Sequence, residues 1–158
     1  MDQLWQYFGD LYRALPEHPR IAAGLLVLCS AICGVALGYE RERKRKPAGM
    51  RTLSLICVGS TVFTLASLLL AANPASDRTR IAAQIVTGVG FLGAGTIIRH
   101  RGTVLGMTTG ATVWTSAAIG LMIGAGYAAG GIAVTGLVLI MLTLGRRIER
   151  YYVAPCEW

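Results

Sequence analysis

The sequence predicts an all-α, polytopic membrane helix bundle: about five transmembrane helices, glycine-rich helix interfaces, N-terminus outside and C-terminus cytoplasmic. Three observations carry this. The 158 residues are 54% hydrophobic and only 15% charged, with a mean hydropathy of +0.55; a soluble domain carries about 25% charged residues. The charges gather between apolar runs, each close to the ~20 residues that cross a bilayer. The basic residues are also divided unequally between alternate loops, the pattern that sets orientation in a membrane.

Residues 1–20 read as an N-terminal interfacial amphipathic segment. Leu4, Phe8, Leu11 and Leu15 recur at helical spacing beside Trp5 and Tyr12, and Pro16 and Pro19 end it. Trp and Tyr favour the boundary between lipid and water. The segment lacks the basic start and apolar core of a cleavable signal peptide. Residues 21–145 form the transmembrane domain. Ile21 to Tyr39 is its first span, ending at the Glu40-Arg41 edge of the densest charge cluster, where Pro47 and Gly49 make a loop. Thr52 to Ala72 is the second span. Asp77 to Arg99 contains the third, Ile81 to Ile98. His100 to Thr103 breaks the chain, the fourth span runs from about Val104 to Ile123, and Gly124-Ala125-Gly126 turns into the fifth, Tyr127 to Leu144. Residues 146–158 read as a short basic cytoplasmic tail, with no soluble C-terminal domain expected.

Five spans place the first loop, the loop after the third span and the tail on one side. These hold eleven of the fifteen Lys and Arg residues and should be cytoplasmic, against four on the other side. The net charge of +7 therefore reads as a topology signal and as contact with anionic lipid at the 41–51 loop, not as a nucleic-acid surface.

The third span is the most informative stretch. Gly88, Gly90, Gly93 and Gly95 crowd its middle. In a soluble helix each would cost about 1 kcal/mol relative to alanine. In a bilayer the backbone stays helical for want of water, and small residues let other helices grip the segment closely. Gly88 to Gly93 also fits G-x-G-x-x-G, but a dinucleotide site needs an acid about 20 residues on. No Asp or Glu occurs between Asp77 and Glu149, so the match is chance. Cys29, Cys33 and Cys57 read as small apolar packing residues, Cys156 lies near the C-terminus, and His18 and His100 read as interface residues rather than ligands.

Three motifs in order now resemble the MgtC/SapB family of bacterial inner-membrane proteins. They are Gly38-Tyr39-Glu40-Arg41-Glu42 followed by Lys46 to Thr52, then Asp77 to Arg99, then Gly106 to Trp114. The likeness covers about Ile21 to Leu144. Leu105 stands where the family usually has Arg, and Gly110 where it usually has Ala. The resemblance implies an inner-membrane protein linked to adaptation to low Mg2+ and, in pathogens, to virulence. It implies action by binding and modulating other membrane proteins; the alternative is a transporter or channel for Mg2+ or another cation.

The candidate residues follow. Glu40 and Arg41 close the first span, and Glu40 is expected to pair with Arg51 or Arg99, because a carboxylate at membrane depth needs a partner. Asp77, Arg80 and Gln84 form a second group. Asp77 reads as a helix N-cap or as an attractor of a cation, and Gln84 as bonding to another helix. Thr108, Thr109, Thr112, Thr115 and Ser116, with Trp114 among them, read as helix–helix hydrogen bonds or as the lining of an ion path. No acid lies inside any span, which disfavours a midplane Mg2+ site. No enzyme activity, cofactor or metal site is expected, apart from Mg2+ as a ligand or substrate. The short helices bury little among themselves, so a homo-oligomer such as a dimer, or a complex with other membrane proteins, is expected.

Overall fold

The computed structural model describes residues 19–100, apart from 71–79, and residues 102–152. The five helices are α1 (Pro19–Arg43), α2 (Met50–Leu70), α3 (Arg80–Gly95), α4 (Met107–Gly124) and α5 (Ala128–Tyr152); between α3 and α4 lie two short strands, β1 (Ile98–His100) and β2 (Thr103–Leu105). The fold is the expected all-α bundle. By length and composition, three helices among the described residues are long and apolar enough to cross a membrane: Arg20–Arg43, Met50–Leu68 and Ala128–Gly145.

α2 and α4 are the centre. Leu26 and Leu37 of α1, Leu53 and Cys57 of α2, and Val113, Ile119 and Ile123 of α4 are almost wholly buried. α1 with α2 and α2 with α4 are the most extensive pairs. Glycine explains how closely they approach. A Cβ on Gly34 would lie 2.5 Å from the Ser54 Cα, and one on Gly38 would run into the Met50 backbone. On the other face of α2, Gly120 rests on the Cys57 carbonyl, and a Cβ on Gly124 would sit 2.7 Å from the Thr61 carbonyl oxygen. Each pair is a G-x-x-x-G spacing, which puts two small residues one turn apart on one helix face.

The glycines of α3 behave differently. Gly93 alone is buried, against the Gly110 backbone of α4; Gly88, Gly90 and Gly95 are exposed and would meet nothing within 4 Å if given a Cβ. Among the described residues, helices of this chain therefore grip the stretch only at Gly93. α3 touches α4 along one face and α2 only lightly.

Four element boundaries also depart from expectation. α1 continues through Arg43, so the loop is only the stretch 44–49. It closes with a Schellman pattern, Lys46 N–H to the Arg41 carbonyl and Arg45 N–H to the Glu42 carbonyl, with Arg45 in the left-handed region at φ 52°. The third helix ends at Gly95, three residues before Ile98. The β-branched run Thr96-Ile97-Ile98 then leaves the helix for a hairpin in which Ile98 pairs Leu105, Arg99 pairs Val104 and His100 pairs Thr103. Gly102, at φ 87°, permits the turn. The fourth helix accordingly begins at Met107, not Val104, after Gly106 at φ 91°. The chain beyond residue 145 remains helical to Tyr152 where a tail was expected.

An open two-stranded hairpin cannot sit in hydrocarbon, where its unpaired backbone groups would find no partner. It therefore marks a membrane boundary. The C-terminal ends of α1 and α3 and the N-terminal ends of α2 and α4 all lie at that end, with Arg43, Lys44, Arg45, Lys46, Arg51 and Arg99. The expectations for residues 1–18, Asp77, Arg101 and Cys156 lie outside the described residues.

Candidate functional site

The buried polar groups of α1, α2 and α4 line up as a seam that starts at the basic end. Arg41 is only 2% exposed, and its Nη2 donates to Thr109 Oγ1 at 2.8 Å. The two residues are 68 positions apart, so the bond ties the end of α1 to the first turn of α4. Deeper, Cys57 Sγ donates to the Ser116 carbonyl at 3.1 Å. Thr61 Oγ1 lies 2.8 Å from both Ser30 Oγ and the Gly120 carbonyl oxygen, which joins all three helices. In an apolar interior each such group must find a partner inside the protein.

Three other hydroxyls of α4 turn back on their own helix. Thr112, Thr115 and Ser116 donate to the carbonyls of Thr108, Ala111 and Thr112 at 2.7–2.8 Å. Of the threonine group, the structure thus uses Thr109 between helices, keeps Thr112 and Ser116 buried in back-bonds, and leaves Thr108 exposed. Trp114 is half exposed in an apolar cleft of about 560 Å3 with Val89 of α3 and Val134 of α5.

Glu40 is paired, but with Lys44 on the next turn of α1, at 2.5 Å, and not with Arg51 or Arg99. An i,i+4 pair forms locally without waiting for another helix to arrive. The second oxygen, Glu40 Oε2, is buried and has no hydrogen bond among the described residues. Glu42 accepts the Met50 N–H at 3.1 Å and so caps the start of α2. Arg51, Arg80, Gln84 and Arg99 are exposed, and Gln84 faces the opening between α2 and α3 rather than a bonded neighbour. Among the described residues no cluster of three or more His, Cys, Asp or Glu side chains gathers as a metal site.

Sequence reasoning noted Ser30 and Thr61 as small or hydroxyl positions of their spans but missed their bonds across helices and the polar use of Cys57, because a serine or threonine inside an apolar run has no pattern of its own. The G-x-x-x-G spacings at Gly34/Gly38 and Gly120/Gly124 were the available signal for where those hydroxyls meet.

Comparison with known proteins agrees with the motifs. A protein of Haemophilus influenzae with no assigned function is 35% identical over 144 residues, 86% of this chain and 60% of the relative. "Putative magnesium transporter YhiD" of Escherichia coli K12 is 43% identical over 123 residues, 74% of this chain and 57% of the relative. "Protein MgtC" of Salmonella typhimurium is 43% identical over 115 residues, 73% and 48%. The chain spans about half the length of these curated relatives. No solved structure matches it. With residues 27–151 matching the family as a whole, the chain belongs to the MgtC family.

Proposed function

We propose that this protein is a multi-pass, non-enzymatic component of the bacterial inner membrane that serves adaptation to low Mg2+ by binding and modulating other membrane proteins. The observation that carries the reading is the fate of the buried polar groups. The described spans hold no carboxylate short of Glu40 at the end of α1, and the seam's hydroxyls are bonded to the protein itself. Nothing there is arranged to replace the water that Mg2+ gives up reluctantly. Meanwhile Ala83, Thr87, Gly90 and Ala94 form an exposed small-residue face on α3, away from α2 and α4. Such a face suits the close approach of a helix from another protein.

Gly90→Leu tests this, since a side chain there meets open space in the single chain. In native membranes at low Mg2+, site-specific photocrosslinking from position 87 should capture a defined membrane-protein partner. Gly90→Leu should lose that product with the bundle intact. A crosslink only to a second copy of this chain, or one indifferent to Gly90→Leu, contradicts the reading.

The second reading is a cation transporter, the activity named for the Escherichia coli relative. It is favoured by Glu40 Oε2, a buried carboxylate oxygen with acceptor capacity to spare at the basic end.

A further inference from the structure

Beside the seam, α2 and α3 diverge and leave a groove open to the surroundings. Its upper part, about 520 Å3, begins at Arg51, Thr52 and Thr96. Its lower part, about 540 Å3, runs past Gly59 and Gly88 to Phe63. Leu55, Ile56 and Leu92 line both parts, so the two are one channel. We propose that this groove binds an anionic glycerophospholipid, with an acyl chain between α2 and α3 and the phosphate at Arg51.

The polarity of the groove is that of the ligand. Its mouth carries a guanidinium and two hydroxyls at the end of the bundle that the hairpin marks as a membrane boundary, and below the mouth the walls are apolar but for Ser60 and Gln84. Arg51 is exposed and has no ion pair among the described residues, although acids stand nearby: Glu40 is held by Lys44, and Glu42 caps Met50. The first turn of α2 adds the positive end of its dipole at the same place. The depth also fits. Arg51 to Phe63 covers about 18 Å of helix, close to the ~15 Å of one leaflet's hydrocarbon. Gly59 and Gly88 face each other's helices with nothing within 4 Å of where a Cβ would be, so the room is not filled by the protein. Arg43 at the end of α1 and Lys44, Arg45 and Lys46 on the adjoining loop raise the local density of anionic headgroups. This site lies on the α2-facing side of α3, and the proposal does not depend on the partner face around Gly90.

The test is native mass spectrometry of the delipidated protein titrated with phosphatidylglycerol or phosphatidylcholine. Wild type should retain phosphatidylglycerol in preference to phosphatidylcholine by on the order of fivefold, the effect of one interfacial cation. Arg51→Gln should bring the two lipids to parity, while Arg43→Gln, which removes the same charge outside the groove, should keep the preference. Gly88→Leu, which fills the channel, should abolish retention of both lipids; Gly90→Leu should retain phosphatidylglycerol. Equal retention of the two lipids by wild type, a preference that survives Arg51→Gln, or undiminished binding by Gly88→Leu would overturn the proposal. So would a disulfide between two copies of Gly88→Cys that excludes lipid, since the occupant would then be protein. Loss of the α3 crosslink in Gly90→Leu with lipid retained separates failure of one idea from failure of the other.

Discussion

Gly120→Val is expected to prevent stable folding, costing at least about 3 kcal/mol, the upper range for overpacking a core. A Cβ at Gly120 would run into the Cys57 carbonyl oxygen, and backbone cannot yield as a flexible side chain does. Separating α2 from α4 to admit the side chain would also break the bond from Thr61 Oγ1 to the Gly120 carbonyl. That would leave a buried hydroxyl with only Ser30. Gly90→Ala is the contrast. It meets open space, and it removes a glycine from a helix interior, so stability should hold or rise by up to about 1 kcal/mol. Thermal unfolding in detergent, followed by helical circular dichroism, reads both. A Gly120→Val protein that unfolds with wild-type stability would mean that α2 and α4 do not cross there.

Thr109→Val is expected to cost about 2 kcal/mol, the scale of a hydrogen bond to a charged group. The substitution keeps the shape of the side chain and removes the oxygen that accepts from Arg41. Arg41 is buried, so water does not simply take the vacated place. Thr109→Ser restores the acceptor and should recover most of the loss. Thr115→Val is the control, because among the described residues Thr115 bonds only to Ala111 of its own helix, and its effect should stay within about 0.5 kcal/mol. Equal unfolding midpoints for Thr109→Val and Thr115→Val would remove Arg41–Thr109 as a tie between α1 and α4.

The class of the fold was legible because hydropathy and charge placement are long-range signals that survive any detail of packing. The five helices and the basic end follow from them, while the family came from the resemblance of three residue motifs. Partners across the bundle were less legible. Arg41 and Thr109 were both singled out, but their meeting depends on how α1 and α4 cross, which is fixed by glycines at 34, 38, 120 and 124. Gly124 illustrates the difficulty. Beside Gly126 it looked like part of a turn; Gly126, at φ 95°, is the turn residue, and Gly124 is packed against Thr61. What packs on the glycines of α3 was not legible for a related reason. Glycine content signals that something can approach closely, without saying whether the neighbour belongs to the same chain, and at Gly88, Gly90 and Gly95 no described residue of this chain lies within 4 Å of where a Cβ would be. The hairpin was hidden because Thr96 to Ile98 extends an apolar run whose hydropathy does not distinguish a helix end from a strand.

The measurement that bears most directly on the central claim is Mg2+ flux into liposomes containing this protein alone and an internal Mg2+-sensitive dye, with insertion verified. A bundle whose buried hydroxyls are already bonded within it should give no flux above empty liposomes, for wild type and Glu40→Gln alike. Flux by wild type that Glu40→Gln abolishes would contradict the account, and would make the protein a transporter with its path at the basic end.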